Sequence, residues 1–168
     1  MKADLKKSEY MTSLSGNQMV CKTHGRIAFR GKIDILEAEV IEAQVLASQL
    51  DEKEFCAYLE EILGLLRSIM SAEVKETPLP PPYLFGMDAE EIHRKSHNAG
   101  GKTLVLPSFT QGPLAARLNS LRAKVRETEL LAVKEAPRDD IVFALNRLSS
   151  ALWWLYCHYI KKRVSGHS

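Results

Sequence analysis

Apolar residues recur at alternating steps of three and four along four segments of the chain, and this spacing constrains the fold more than any other feature. It places the apolar side chains of each segment on one face of a helix. The predicted core positions are Phe29, Ile33, Leu36, Val40, Ala43, Ala47 and Leu50; Phe55, Leu59, Ile62, Leu66 and Ile69; Leu114, Leu118, Leu121, Val125, Thr128 and Ala132; and Ile141, Leu145, Leu148, Leu152, Leu155 and Tyr159. No strand pattern competes, so the sequence predicts an all-α protein.

The breaks between these segments predict a bundle of four to five helices. Asp51 is a plausible N-cap for the second helix, and prolines 80–82 favour an extended connection after it. We expect a short helix over "MDAEEIHRKSH", a loop over 98–112, and a third long helix whose first turn contains Pro113. The last helix is apolar on nearly all sides, which is typical of a helix buried centrally or at a subunit contact. The bundle is therefore expected to self-associate.

Composition narrows the possible partners. The 168 residues are enough for one domain, and 23 basic residues are interleaved with 21 acidic ones for a net charge of +2, which makes nucleic acid an unexpected partner. The three cysteines, Cys21, Cys56 and Cys157, lie far apart and predict neither a disulfide framework nor a metal knuckle. No apolar run follows the first lysines, and Arg147 interrupts the most apolar segment. We expect no membrane span and a cytoplasmic location.

Four polar residues are predicted beside the core where the last two helices meet. Arg122, Arg126 and Glu129 share one face of the third long helix, and Asn146 holds the equivalent position on the last one. Two arginines four residues apart repel each other, so a carboxylate, a bound anion or water must offset the repulsion. A salt-bridge network within the bundle and an anion site both remain open at this point.

Several longer stretches together resemble the ATP:cob(I)alamin adenosyltransferase family. These are "TSLSGNQMVCKTHGRIAFRGKID", "LVLPSFTQGPLAARLNSLRAKVRETE" and "ALNRLSSALWW". The stretches "KKSEYMTSLS" and "EEIHRKSH" are most similar to the ethanolamine-utilisation branch, which is related to the propanediol-utilisation type. The resemblance runs in order from about Lys6 to Tyr159, and this order makes it more specific than any single piece.

The resemblance implies a helical bundle, most simply a trimer, with its active site between subunits. It implies transfer of the 5′-deoxyadenosyl group of ATP to cob(I)alamin, with triphosphate as the leaving group and Mg²⁺ on the phosphates. It divides the chain into a phosphate-loop-like segment (1–22), a helical adenosyltransferase domain (23–163) and a tail (164–168). A reductase, an adenosylcobalamin-dependent lyase of ethanolamine utilisation and a bacterial microcompartment are the implied partners and setting.

The resemblance also implies residue roles, none of them nucleophilic. Arg122 would pair with Asp34 of a neighbouring subunit, and these two residues together with Arg126 would position the reacting groups. The corrin would lie against Leu104, His93 and His97. The implied ATP-binding residues are Thr12, Lys22, Arg126, Glu129 and Asn146.

Some features depart from the family pattern and keep other functions in view. The glycine-rich opening of the propanediol-type enzymes is absent, which makes a corrinoid or nucleotide carrier without catalysis the alternative, and a purely structural bundle the third. The ethanolamine branch carries a His and Cys cluster upstream, so we expect a fragment, a shortened form or a protein that works without that metal. His93 and His97 also suit plain surface histidines.

Overall fold

The computed structural model describes residues 8–101 and 106–166. A two-stranded hairpin, β1 (Met11–Ser15) and β2 (Gln18–Cys21), leads into the helices α1 (Gly25–Gln49), α2 (Lys53–Lys75), α3 (Ala89–Asn98), α4 (Pro113–Glu135) and α5 (Asp139–Ser165). A single 3₁₀ turn, Phe109–Gln111, precedes α4. Helix α4 packs against α5 and α1, α1 packs against α2, and α3 packs against α5. The predicted helical bundle is confirmed.

The apolar stripes form one continuous core. Every predicted core position is buried except Leu50, which is 42% exposed. The prediction for Leu50 is wrong because α1 ends at Gln49 and the chain turns there. Ion pairs join Glu42 to Arg117 (3.1 Å) and Lys32 to Glu127 (3.2 Å), so α1 and α4 run in opposite directions.

The turn between α1 and α2 differs from the prediction. Asp51 is not the N-cap of α2, because it adopts the left-handed region with φ of +56°. Glu52 takes the N-cap position and makes no side-chain capping bond. The tight reversal places the backbone N–H of Glu52 2.8 Å from the carbonyl oxygen of Ala47. This backbone hydrogen bond therefore joins the last turn of α1 to the N-cap residue of α2.

The predicted short helix is α3, which begins at Ala89 rather than Met87, and the predicted start of α4 at Pro113 is confirmed. The side chain of Asp88 caps α3 by accepting a hydrogen bond from the N–H of Glu91 at 2.9 Å. Pro113 is the first residue of α4, where the missing N–H of proline costs nothing. Gly112 precedes it with φ of +93°, and a Cβ there would lie 2.5 Å from the guanidinium of Arg163. The positive φ favours glycine at this position, and a larger residue would also displace the end of the Arg163 side chain.

The β-hairpin is a feature that the apolar spacing did not predict. Its strands are antiparallel, with Thr12 opposite Val20, and Gly16 at the turn has φ of +52°. Leu14 is its buried apolar residue. Such short and largely exposed strands carry little apolar alternation, which explains why the pattern missed them. The Gly-Asn turn between them was the available signal.

Helix α5 lies at the centre of the bundle, as its composition indicates. Its buried residues include Tyr156 and Cys157, and burial raises the pKa of the Cys157 thiol. Trp153 stacks on Tyr156 and Trp154 stacks on His158, so the two indoles face different neighbours. In the part of the chain that the structure describes, no helix combines the length and apolar character that crossing a membrane requires.

Candidate functional site

The site is an open pocket of about 400 Å³ where the second half of α4 meets the first half of α5. Its wall is mainly apolar, with a few polar groups. The lining residues are Glu129, Val133, Pro137, Arg138, Asp139, Val142, Phe143 and Asn146. Mixed lining of this kind suits an organic ligand that carries several polar groups.

Glu129 and Asn146 meet in this pocket. Asn146 Nδ2 donates a hydrogen bond to Glu129 Oε1 across the two helices at 3.1 Å. Glu129 Oε2 is buried and has no hydrogen-bond partner among the described residues. A buried carboxylate oxygen without a partner is costly, so this atom is an acceptor ready for a ligand donor or water.

Arg147 bonds to the carbonyl oxygen of the Asn146 amide. Arg147 Nη1 donates to Asn146 Oδ1 at 2.7 Å, and Arg147 Nε donates to the carbonyl oxygen of Ala89 at 3.1 Å. Only 13% of the Arg147 side chain is exposed. The sequence placed Asn146 at the seam but assigned no role to Arg147, because apolar periodicity carries no information about side-chain bonds.

The two arginines of α4 have different surroundings. Arg122 is half-buried, and its Nε and Nη2 donate to Asn119 Oδ1 at 3.2 and 3.0 Å. Arg126 is exposed, so the expectation that it lies beside the core is wrong for this residue. Within residues 8–101 and 106–166, neither guanidinium forms an ion pair with a carboxylate, whereas Arg117 and Lys124 of the same helix do. The salt-bridge network predicted as one alternative is therefore not formed by these arginines among those residues.

Asp34 and Arg122 are not joined within the described chain. Asp34 is exposed on α1, beside Ile35, which is 51% exposed. The predicted pair was placed between two subunits, and a single chain does not test it. The carboxylate and the guanidinium remain available for contacts outside the chain.

A second open pocket, of about 310 Å³, lies beside Arg122. The ring of Trp153 forms part of its wall, with the Arg122 guanidinium 5.9 Å from the ring centroid. The lining residues are Ser96, His97, Arg122, Ser149, Ser150 and Trp153. His93 and His97 are exposed one turn apart on α3, with ring centroids 4.4 Å apart. Of the two histidines, His97 is the one that lines this pocket.

The described part of the chain contains no group of three or more His, Cys, Asp or Glu residues that could hold a metal ion. The paired histidines therefore lack a third protein ligand among those residues. The position of His97 on the pocket wall, rather than metal geometry, is the structural fact that bears on its role.

The hairpin is fixed to the helices by a buried carboxylate. Glu73 is 1% exposed and forms ion pairs with both Arg26 and Arg30 of α1. Arg30 Nη2 also donates to the carbonyl oxygen of Leu14 in β1 at 2.6 Å. This arrangement holds Thr12, half-buried on β1, and Lys22, exposed directly after β2, in a defined position. Glu73 continues the buried stripe of α2 four residues after Ile69, and the apolar pattern did not include it because its side chain is charged.

The hairpin end of α1 lies against the α4–α5 junction. The approach is so close that a Cβ on Gly25 would lie 1.9 Å from Glu135 Oε2. A third pocket, lined by Arg26, Glu135 and Arg138 among others, shares Pro137 and Arg138 with the Asn146 pocket. The hairpin and the candidate site are therefore on neighbouring parts of one surface.

The loop before α4 carries exposed apolar residues. Phe109 is 91% exposed and Leu106 is 70% exposed. Gln111 anchors this loop, since its side chain accepts from the Tyr156 hydroxyl and its carbonyl oxygen accepts from Arg163. Leu104, predicted as a corrin contact, lies outside the described residues. Leu106 and Phe109 are exposed neighbours that the sequence did not single out.

Comparison with known proteins gives relatives over most of the chain. The EutT corrinoid adenosyltransferase of Salmonella typhimurium is 35% identical over 159 residues, which cover 89% of this chain and 58% of the relative. Escherichia coli K12 EutT is 35% identical over 158 residues, with 88% and 58% covered. The chain thus spans less than two thirds of the length of these relatives.

Solved structures share the fold. A variant PduO-type ATP:corrinoid adenosyltransferase from Lactobacillus reuteri, complexed with cobalamin and ATP, matches with a TM-score of 0.63 and 22% identity over 91% of both chains. Another variant from the same organism, complexed with ATP, matches with a TM-score of 0.64 and 21% identity over 91% of both chains. The sequence pattern of the cobalamin adenosyltransferase family matches residues 6–159. The chain belongs to the cobalamin adenosyltransferase family.

Proposed function

We propose that this chain is a corrinoid adenosyltransferase that transfers the 5′-deoxyadenosyl group of ATP to cob(I)alamin. Co(I) attacks C5′ of the ribose, the C5′–O bond breaks, and triphosphate leaves with the bonding electrons while the cobalt is formally oxidised to Co(III). The protein supplies positioning and electrostatic stabilisation, so no side chain needs to act as a nucleophile. The names of the EutT relatives support this activity, and a role in ethanolamine utilisation.

The observation that carries the proposal is the pocket between α4 and α5. It combines the amide of Asn146 with a buried carboxylate oxygen of Glu129 that has no partner among the described residues. Arg126 is exposed one turn earlier on α4, outside the lining of the pocket, and forms no ion pair within residues 8–101 and 106–166. A nucleotide offers hydroxyl and amino donors to the carboxylate and phosphate oxygens to the guanidinium. A carboxylate acceptor in the pocket and a guanidinium one helical turn away suit ATP better than a simple anion.

The hairpin would complete the phosphate site. Thr12 offers a hydroxyl group and Lys22 an ammonium group, and both belong to the element that Glu73 and Arg30 hold against the bundle. We propose that Mg²⁺ is bound mainly by the triphosphate and water, because Mg²⁺ keeps several waters and takes few protein ligands in nucleotide sites. Lys22 and Arg126 would then offset the charge of the leaving group.

The corrin would lie near the second pocket, against Leu104 and the pair His93 and His97. The pocket contains the indole face of Trp153 and the His97 imidazole, which suit a flat macrocycle with polar edges. Phe109 and Leu106 are exposed on the adjoining loop and could extend this wall. Cobalamin is a substrate in this proposal, not a resident cofactor.

We propose a trimer with the active site between subunits. The exposed side of α1 carries Ile35, Ile41 and Val45, which are 51%, 44% and 54% exposed, and α4 adds Leu130 and Val133, which are 63% and 55% exposed. Apolar groups in such number on two adjacent helices favour contact with another subunit. Asp34 lies beside this surface and would reach Arg122 of the neighbour.

The test is an incubation with ATP, cobalamin and a strong reductant under anaerobic conditions, following the absorbance of Co(I). The proposal predicts loss of Co(I) that depends on both protein and ATP. Saturable binding of ATP or cobalamin without turnover would instead identify the non-catalytic carrier. If the protein shows neither binding nor turnover, it is a purely structural bundle. A reductase, a lyase partner and a cytoplasmic or microcompartment setting belong to the same proposal.

A further inference from the structure

We propose that Arg147 is a positioning residue for ATP, acting through the orientation of the Asn146 amide. Nothing places Arg147 itself against the nucleotide: its Nη1 points to Asn146 and its Nε to α3. The inference rests on the proposed function, because it assigns a role within the same pocket. It adds a residue that fixes which way a ligand-facing amide is turned.

The orientation follows from donors and acceptors alone. A guanidinium can only donate, so the Asn146 atom that faces Arg147 must be the carbonyl oxygen. The amide nitrogen is then turned to Glu129 Oε1, an acceptor, at 3.1 Å. The reversed amide would point N–H groups at Arg147 and set two oxygens against each other at Glu129. Two charged neighbours of opposite sign therefore select one of two orientations.

This orientation decides what the pocket offers a ligand. Glu129 Oε1 is occupied by Asn146, which leaves Oε2 as the buried acceptor. The amide nitrogen of Asn146 has a second N–H, which can serve an acceptor on the ligand. A freely rotating amide would lose both features part of the time. The bound nucleotide would then have to offset the cost of ordering the amide.

Arg147 is held firmly enough to impose the orientation. It bonds to the backbone of Ala89 at the start of α3, and its guanidinium lies 4.6 Å from the centre of the Phe143 ring. Its contact with Glu90 is long, at 4.0 Å, and Glu90 is 83% exposed, so that ion pair adds little. The mostly buried side chain of Arg147 therefore couples the orientation of the Asn146 amide to the position of α3.

The experiment is a double-mutant cycle on ATP affinity, measured by titration calorimetry. Arg147→Met, which keeps an unbranched apolar stem but removes every donor, is made with Asn146 present and in the Asn146→Ala background. With Asn146 present we expect ATP to bind about tenfold more weakly, since the lost bond involves a charged group. In the Asn146→Ala background, which itself weakens binding, we expect no further loss from Arg147→Met.

Two further variants serve as a conservative replacement and a control. Arg147→Lys keeps one donor and should retain part of the affinity; it replaces Arg147→Met in the cycle if the latter does not fold. Arg67→Met removes an arginine that is 58% exposed on α2 and should leave ATP affinity unchanged. Thermal unfolding of each variant reports whether the fold is intact.

The possible outcomes are distinct. An equal loss in both backgrounds would overturn the inference, because Arg147 would then act on the fold or on ATP directly. An unchanged affinity in folded Arg147→Met would also overturn it. Failure of the unaltered protein to bind ATP would refute the proposed function itself, and with it the role of Arg147.

Discussion

At the scale of single residues, the two arginines of α4 are divided by their surroundings. Arg122 is half-buried, bonded to Asn119 and close to the Trp153 ring, whereas Arg126 is exposed. Charged side chains on the opposite face of α4 have carboxylate partners on α1, as Arg117 does with Glu42. The contrast indicates that Arg122 and Arg126 are kept for partners outside the described chain. We propose that Asp34 of a neighbouring subunit is the partner of Arg122 and that the phosphates of ATP are the partner of Arg126.

Replacement of Arg126 should impair the ATP step without disturbing the fold. Arg126→Ala should lower ATP affinity or turnover by one to two orders of magnitude, about 1.4 to 2.8 kcal/mol, because it removes a cation from the leaving group. Helix content should not change, since the side chain is exposed. Steady-state kinetics and circular dichroism measure the two effects. Arg117→Ala on the same helix is the matched control. Equal kinetic constants for the two variants would show that Arg126 is a surface residue without a role in the ATP step.

At the scale of elements, the entry to α5 is held by a cluster of polar bonds that also forms one wall of the candidate site. Arg138 donates to the carbonyl oxygens of Ala72 (2.8 Å) and Thr77 (2.6 Å), and it pairs with Asp140 at 2.6 Å. Asp140 also accepts from the backbone N–H of Leu79 at 2.9 Å. The end of α2, the proline-rich connection and the start of α5 are thus joined through two side chains.

The Asp140 cluster predicts a definite pH dependence of stability. The hydrogen bond from Arg138, with smaller help from the Leu79 N–H, holds the pKa of Asp140 below its ordinary value of 3.8 although burial opposes this. A lowered folded-state pKa means that the stabilisation is complete above the ordinary value and is lost as pH falls through the folded one. Asp140→Asn should therefore cost about 1 to 2 kcal/mol at neutral pH.

The measurement is urea unfolding of the unaltered protein and of Asp140→Asn between neutral pH and pH 3. The difference in unfolding free energy between them should shrink as the solution becomes acidic. Asp139→Asn, an exposed neighbour in the same first turn, serves as the control. A difference that stays constant over this range would show that the carboxylate charge is not the source of the stability.

The elements themselves were largely predictable, and the exceptions have physical reasons. The stripes from Phe29 to Tyr159 were found because burial on one helical face imposes a period that sequence retains. The break near Asp51 was predicted, but its N-cap role was wrong, because a left-handed residue other than glycine has no strong local signature. Contacts such as Arg147 with Ala89, or Glu73 with Arg30, depend on how helices dock. Sequence reasoning placed Glu129 and Asn146 on one seam, but only the structure shows the carboxylate oxygen left between them.

At the scale of the whole molecule, the chain exposes apolar and charged residues in an arrangement that a monomeric bundle does not require. The apolar residues Ile35, Ile41 and Val45 of α1 are exposed next to Asp34, which has no ion-pair partner in the described residues. Arg122 is similarly without a carboxylate in that part of the chain. Exposed apolar groups beside unpaired charges of opposite sign suit a repeated contact between identical subunits.

Asp34 and Arg122 should therefore be energetically coupled across chains. Asp34→Ala and Arg122→Ala should each weaken subunit association, and the double variant should lose less than the sum, with a coupling of about 1 kcal/mol or more. Sedimentation equilibrium gives the association free energies. Lys32→Ala, which breaks the α1–α4 pair with Glu127 inside one chain, is the control. A coupling near zero would remove this pair from the interface.

The central claim is that the protein breaks the C5′–O bond of ATP and joins C5′ to cobalt, and product analysis tests it most directly. The protein is given ATP and chemically reduced cob(I)alamin, and adenosylcobalamin and the phosphate products are separated and quantified. We expect one inorganic triphosphate for each adenosylcobalamin formed, with neither product when ATP is omitted. Release of ADP or pyrophosphate in place of triphosphate, or bound ATP without any adenosylcobalamin, would contradict it.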